Sequence, residues 1–372
     1  MSKTSGSRML GALCGVLVVL WSCGQVAKAD FNYGPATKIP NVSMPGASEP
    51  RISPDGLELY FLRFGDNTCP EVWVATRPAP KEPWGAPARV DFPPGSAKPI
   101  FDIVCLSPDG LELYFGEGYP GLIVNTRLPC AADPSGYGSG DLWVSRRTAK
   151  GAPWGKPQNL GPVVNTANYE GCPSISADGL SLYFASERPG GYGYLDLYVA
   201  TRQSTNGPWG PPMNLGSRIN TSTAEATPFI SPDGLSLYYS VGDLRSDIYV
   251  SRRTAADAPW GTPVRFEPVN SSAAEWFLSF ATGDSTVYFT RQDDVFRPMT
   301  YDLWQVEVLP VVDFNGDKKV DLVDLVILID NWGTSKTLCD IGPTPLGDGK
   351  VDIEDLKVFM TYYEKENPPV KP

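Results

Sequence analysis

The chain of 372 residues contains no histidine. That absence removes Ser-His-Asp and Cys-His catalysis, and with them zinc or haem held by imidazole. Any chemistry must come from carboxylates, tyrosine, lysine or a hard cation. Long apolar runs are nearly as scarce. The one run of note, LGALCGVLVVLW at 10–21, follows Lys3 and Arg8 and precedes the small-x-small stretch Ala27-Lys28-Ala29. Residues 1–29 therefore read as a secretory signal, too short and wrongly flanked to span a bilayer. Leu20-Trp21-Ser22-Cys23 also loosely matches a lipobox, in which the bulky Trp21 fits badly. Plain secretion, to the extracellular space or the cell surface, is the expectation.

Positive charge is in deficit. Lys and Arg number 31 against 42 Asp and Glu, and removal of residues 1–29 takes Lys3, Arg8 and Lys28 but no acid. The net charge moves from −11 to −14. Such a chain is repelled by nucleic acid and by anionic membrane surfaces. Five cysteines remain after residue 29: Cys69, Cys105, Cys130, Cys172 and Cys339. Export permits disulfides, and at most one or two are expected, drawn from Cys69, Cys105 and Cys130.

What the chain has in abundance is self-similarity. SPDGLELYF occurs at 53–61 and again, letter for letter, at 107–115; SADGLSLYF (176–184), SPDGLSLYY (231–239) and ATGDSTVYF (281–289) are looser copies. Such recurrence marks a repeat architecture. Each copy leads to an acid-headed apolar segment: EVWVATR (71–77), DLWVSRR (141–147), DLYVATR (196–202), DIYVSRR (247–253) and DLWQVEV (302–308). Four of these lead to PWGAPARV (83–90), PWGKPQNL (153–160), PWGPPMNL (208–215) and PWGTPVRF (259–266). Asp-Gly between alternating apolar residues is a strong hairpin signal. Each unit thus holds four short strands, and the expected fold is all-β: a five-bladed propeller over residues 30–310, which meets the edge problem by radial repetition.

The fifth unit lacks its own PWGxP segment, but YGPATKIP (33–40) matches WGAPARVD (84–91) in register. The N-terminal strand is therefore expected to complete the last blade and close the ring. These motifs resemble the WD-like Pro-Asp repeat of bacterial exported propellers, including the periplasmic propeller of the Tol system. The resemblance covers roughly residues 31–309 and implies a fold rather than an activity.

Seven of the nine tryptophans after residue 29 recur at repeat positions: Trp73, Trp143 and Trp304 in the third strands, and Trp84, Trp154, Trp209 and Trp260 in PWGxP. Recurrence once per blade points to packing between blades rather than to sugar-stacking. Asp55, Asp109, Asp178 and Asp233 are turn formers. Glu170, Glu225 and Glu275, with Glu49 and Asp102 nearby in the other units, stand close to each first strand. They are candidates for an acidic ring at one mouth of the channel, able to bind a cation or to supply paired carboxylates, or else for local hydrogen bonding. Features peculiar to one blade are better binding candidates: the excursion 116–140, the Gly-rich ERPGGYGY (187–194) and the off-pattern Trp276.

After Pro310 the composition changes. VVDFNGDKKVDLVDLVILIDNWG (311–333) places Asp313, Asn315, Asp317, Asp321 and Asp324 at positions 1, 3, 5, 9 and 12 of a loop, with the Lys319 carbonyl at position 7. Hard oxygen donors at this spacing suit calcium. A second unit within 339–366 repeats the pattern through Asp348, Lys350, Asp352 and Asp355. There Thr344 and Leu346 fall at positions 1 and 3, and Asp340 is a substitute ligand across a longer loop. A helix is expected after each loop. Paired loop-helix units of this kind, over 311–366, resemble a type I dockerin. The resemblance implies two calcium ions and docking to a cohesin-like scaffold or cell-surface protein, usually in polysaccharide breakdown. Lys318 departs from the family at position 6, where glycine is usual, as do Leu322-Val323 and Ile353-Glu354 at positions 10 and 11. Residues 367–372 are expected to be disordered.

The sequence thus leads to a secreted, non-catalytic propeller that binds a glycan or protein and is tethered by a calcium-dependent tail. A carboxylate-dependent glycoside hydrolase or lyase is the alternative.

Overall fold

The computed structural model describes residues 32–64, 70–93, 101–117, 136–242, 245–281, 285–293, 301–334, 339–342 and 350–368. The proposed signal, Cys69, Cys130 and Asp348 lie outside them. Five antiparallel sheets form five blades. The third is typical: Glu170–Ile175, Ser181–Ser186, Asp196–Thr201 and Met213–Asn214 pair in sequence order from inside to outside. Its hairpin turns where SADG was read, and the same turn recurs in the first blade. There Asp55 Oδ1 accepts from Ser53 Oγ and the Leu57 amide, and Gly56 takes φ +73, a left-handed value that glycine tolerates without strain.

No blade has a core of its own. The buried apolar residues divide into wedges between neighbours, as in the cluster Tyr60, Leu62, Leu113, Phe115 and Trp154 between the first and second blades. The tryptophans of PWGxP do pack across these seams. Trp84, Trp154 and Trp209 meet the edges of Tyr288, Tyr60 and Tyr114 in the preceding blade at 6.2, 6.4 and 6.3 Å.

An arginine that the tryptophan pattern did not announce completes four of the five seams. Arg77, Arg147, Arg202 and Arg253 end or follow the third strands and stack on Trp84, Trp154, Trp209 and Trp260 at 4.3 to 4.6 Å. Each donates through Nε to the glycine carbonyl of its own blade's turn, at 2.7 to 2.8 Å. Arg147 also reaches back to Glu58 of the first blade at 2.6 Å, with its side chain almost fully buried. Breaking such a buried pair by removing one partner costs about 3–5 kcal/mol.

The chain start closes the ring. Tyr33 pairs with Val308, and Thr37 and Lys38 pair with Gln305 and Trp304, on the far side of the long strand Tyr301–Leu309. Thr37-Lys38 thereby holds the place that Ala88-Arg89 holds beside Trp73 and Val74 in the first blade. In this last blade Val308 and Tyr33 stand at those positions, Tyr33 packing on Phe266 at 5.6 Å, and the blade's Arg-Trp stack is instead Arg291 over Trp304 at 4.6 Å, within the blade.

Every inner strand carries an irregularity at one shared place, and the residue there has positive φ: Glu49, Ile103, Cys172, Thr227 and Phe277. None is glycine. After Pro310 come the helices α1 (Leu322–Asp330) and α2 (Ile353–Glu366), each opened by an aspartate capping box at Asp321 and Asp352. They pack over a separate small core of Val312, Phe314, Val320, Leu328, Cys339, Ile341, Val351 and Phe359.

The disulfide expectation is corrected at Cys105, which carries a free thiol. Cys105 stands in the channel wall with its Sγ accepting from the Ile175 amide. Burial there pushes the thiol pKa up.

Candidate functional site

Glu170 and Glu225 open their inner strands and Glu275 is the second residue of its own. They do not form a solvent-facing ring, because all three side chains are fully buried. Glu170 accepts from the Thr166 amide and hydroxyl and from Ser186 Oγ, with Arg188 at 3.3 Å. Glu225 accepts from the Thr221 amide and hydroxyl and from Thr223 Oγ1. Glu275 accepts from Ser271 Oγ and from Arg291 Nε at 2.9 Å. Each carboxylate thus pins the connection entering its own blade, and local hydrogen bonding prevails over the ring. Burial raises the pKa of Glu170 and of Glu225 despite these donors.

Glu49 is also buried, and its Oε2 accepts from the Ile103 amide of the next blade at 2.7 Å. Asp102 lies in the inner strand Phe101–Leu106, with its backbone opposite Gly116. Trp276 is half-buried against Tyr301, ring centroids 6.3 Å apart.

A cavity of about 180 Å³ remains at the channel mouth that carries the Ser-x-Asp-Gly turns, walled by Arg51, Cys105, Ser174, Phe229, Phe280 and Pro232 among others. Arg51 spans the channel, donating to the Leu278 and Pro228 carbonyls at 2.8 and 3.1 Å and lying over Phe229. No sequence motif announced it, since the other blades carry Cys105, Ser174, Phe229 and Ser279 at that position.

The first tail loop has its backbone wrapped around its acids. Asp313 accepts from the amides of Gly316, Asp317 and Lys318; Asp317 accepts from Lys319; Asn315 Oδ1 accepts from Asp317. Asp324, buried, accepts from the Phe314 and Asn315 amides on one oxygen and from Asp321 on the other. In the second loop Asp355 accepts from Ile341 and Gly342 on one oxygen and from Asp352 on the other. The match sets Asp340 where Asp313 stands; Thr344 and Leu346 lie outside the described residues. Gly342 then occupies the Asn315 position and offers no side-chain donor. Lys350 keeps the Lys319 position, its Nζ 3.6 Å from Asp352.

The donor set, all oxygen, fits calcium in kind. Among the described residues, however, no three acidic or thiol side chains converge closely enough to hold one ion. Asn315 Nδ2 lies on Asp317 Oδ2 at 3.1 Å, so Asn315 and Asp317 must turn inward to ligate.

No family model and no curated protein matches the chain. Solved structures do. A thermostable family-43 glycoside hydrolase is similar at 13% identity and TM-score 0.48, over 73% of this chain and 91% of that one. The family-43 endo-arabinanase from Bacillus licheniformis is similar at 14% identity and TM-score 0.46, over 71% and 94%. TolB from Acinetobacter baumannii is similar at 13% identity and TM-score 0.39 over 71% of this chain, which spans only 56% of TolB. None of these likenesses assigns an activity to the chain.

Proposed function

We propose that this is an exported binding protein whose propeller engages a glycan and whose tail, ordered by calcium, docks it to a cohesin-like partner. The observation that carries the docking half is one face of α1. Leu328 points into the tail's core, yet Leu322, Val323, Val326 and Ile329 are 52 to 60% exposed, with Trp332 beyond them at 45% and Ile353 of α2 at 50%. A short helix apolar on both sides, one of them in water, is the arrangement expected of a contact surface. The resemblance to dockerins names the partner class.

For the propeller, binding is favoured over hydrolysis by where the acids went. Glycoside hydrolysis needs two carboxyl groups facing one cleft. Glu170, Glu225 and Glu275 are spent on their own chain, and the channel cavity offers Arg51, aromatics and prolines.

The test uses the full chain against a panel of purified cohesin domains, with calcium or with EDTA. Capture by at least one cohesin in calcium, lost in EDTA and in a Val326→Asp/Ile329→Asp variant, supports the reading. Calcium at about 100 times its Kd adds about 2.7 kcal/mol to a fold that binds it, so chelation should also lower the helical signal. A helical signal indifferent to EDTA and no cohesin captured would refute the docking half.

A further inference from the structure

We propose that Tyr137, Tyr192 and Tyr194 form a stacking platform for a neutral glycan, on the propeller face opposite the Ser-x-Asp-Gly turns. The inference rests on the glycan-binding reading above and gives that reading a place.

Tyr137 lies in GYGSG (136–140) and Tyr192 and Tyr194 in GGYGYL (190–195), each between the second and third strands of its blade. The ladder Glu170–Ser186–Asp196 puts the third blade's connection at the end of the sheet away from its Asp-Gly turn. Blades two and three are neighbours, so the loops stand side by side. The rings are 49, 53 and 56% exposed, among the largest aromatic surfaces the described residues offer to water.

The stretches 136–141 and 190–196 are built alike; residues 118–135 of the second blade's connection, part of the excursion 116–140, lie outside the described residues. Asp141 Oδ2 accepts from the Tyr137 amide at 2.7 Å, and Asp196 Oδ2 from the Tyr192 amide at 2.6 Å. Gly138 and Gly193 press so closely on the next blade that a methyl group on either would collide with the Thr166 or Thr223 carbonyl oxygen. The backbone at Tyr137, Gly138, Tyr192 and Gly193 is therefore held while the tyrosine side chains are half exposed, which limits the ordering entropy these residues lose on binding.

The chemistry of the face selects the ligand. Within GYGSG and GGYGYL the tyrosines' neighbours are glycine, serine and leucine, while Glu187 and Arg188, at the start of the third blade's connection, are half-buried and Arg188 is held against Glu170. Open tyrosine rings offer a π-face to the C–H face of a pyranose and a phenol to its hydroxyls. Seven tryptophans occupy two positions that recur from blade to blade, and those of PWGxP pack the seams, whereas these exposed tyrosines stand in only two blades. With a net charge of −11, the chain disfavours an anionic polymer.

The test is affinity electrophoresis of the full chain in gels containing xyloglucan, galactomannan, mixed-linkage β-glucan or polygalacturonate. Retardation by a neutral polymer is expected, weakened about tenfold or more in Tyr137→Ala/Tyr192→Ala/Tyr194→Ala and kept in the matching Trp variants. The thermal midpoint should be unchanged, because the side chains are exposed. Retardation that the triple Ala variant leaves intact would overturn the platform while leaving glycan binding standing. Retardation by polygalacturonate alone would overturn its neutral specificity. No retardation by any polymer would remove both.

Discussion

At the scale of single residues, the inner-strand glutamates show how a position that attracts functional interest can be wholly structural. Glu225 is buried and bonded only to its own connection, and burial outweighs its threonine donors, so its folded pKa stands above the ordinary 4.5. A carboxyl raised on folding adds stability that is whole below about pH 4.5 and is lost as pH climbs through the folded value. Glu225→Gln, which keeps an acceptor for the Thr221 amide, should therefore flatten the loss of stability as pH rises above about 4.5. Denaturant midpoints across that range read it out; a slope equal to that of the parent chain would mean Glu225 carries no linked proton. Arg147 teaches the complementary lesson. A charged residue that ends three other third-strand segments as well was legible as a repeat, but its meaning needed the turn carbonyl and Glu58 to be seen together.

At the scale of elements, the strands and turns were legible because each is announced locally. Asp-Gly marks the hairpin, alternation marks the strand, and the shared register of YGPATKIP with WGAPARVD foretold the closing strand. The inner-strand irregularity was not legible, since Glu, Ile, Cys, Thr and Phe fill one strained position and no residue type signals it. In the second tail loop the bonds of Ile341 and Gly342 to Asp355 set Asp340 in the place of Asp313, a correspondence that counting back from Asp355 does not give. Spacing alone fails where a loop lengthens. The first loop carries a strain of its own: Lys318 takes φ +69 at the place where the resembled family has glycine. A left-handed lysine costs about 1 kcal/mol, so Lys318→Gly should stabilise the tail by about that amount, seen as a higher midpoint of helical melting. An unchanged or lower midpoint would show that the side chain repays its backbone.

At the scale of the whole molecule, five sheets without private cores form one cooperative body, since each wedge of apolar side chains belongs to two blades. Ring closure is then a condition of stability for all of them. Deleting residues 30–42 should remove Tyr33 from the seam between the fourth and fifth blades and Ile39 from the seam between the fifth and first, and replace the single unfolding transition with a broad, early one. Calorimetry decides, and a sharp transition at the parent temperature would show that the ring holds without its strap. The same strand that receives the strap, Tyr301–Leu309, runs straight into the tail. If that tail is anchored while the propeller grips a polymer, any mechanical load enters the body at the one blade closed by a separate stretch of chain, where Val308 and Tyr33 take the places of the Arg and Trp of the other blades. The mooring line is spliced to the clasp, and under tension the clasp is where the molecule would first give way.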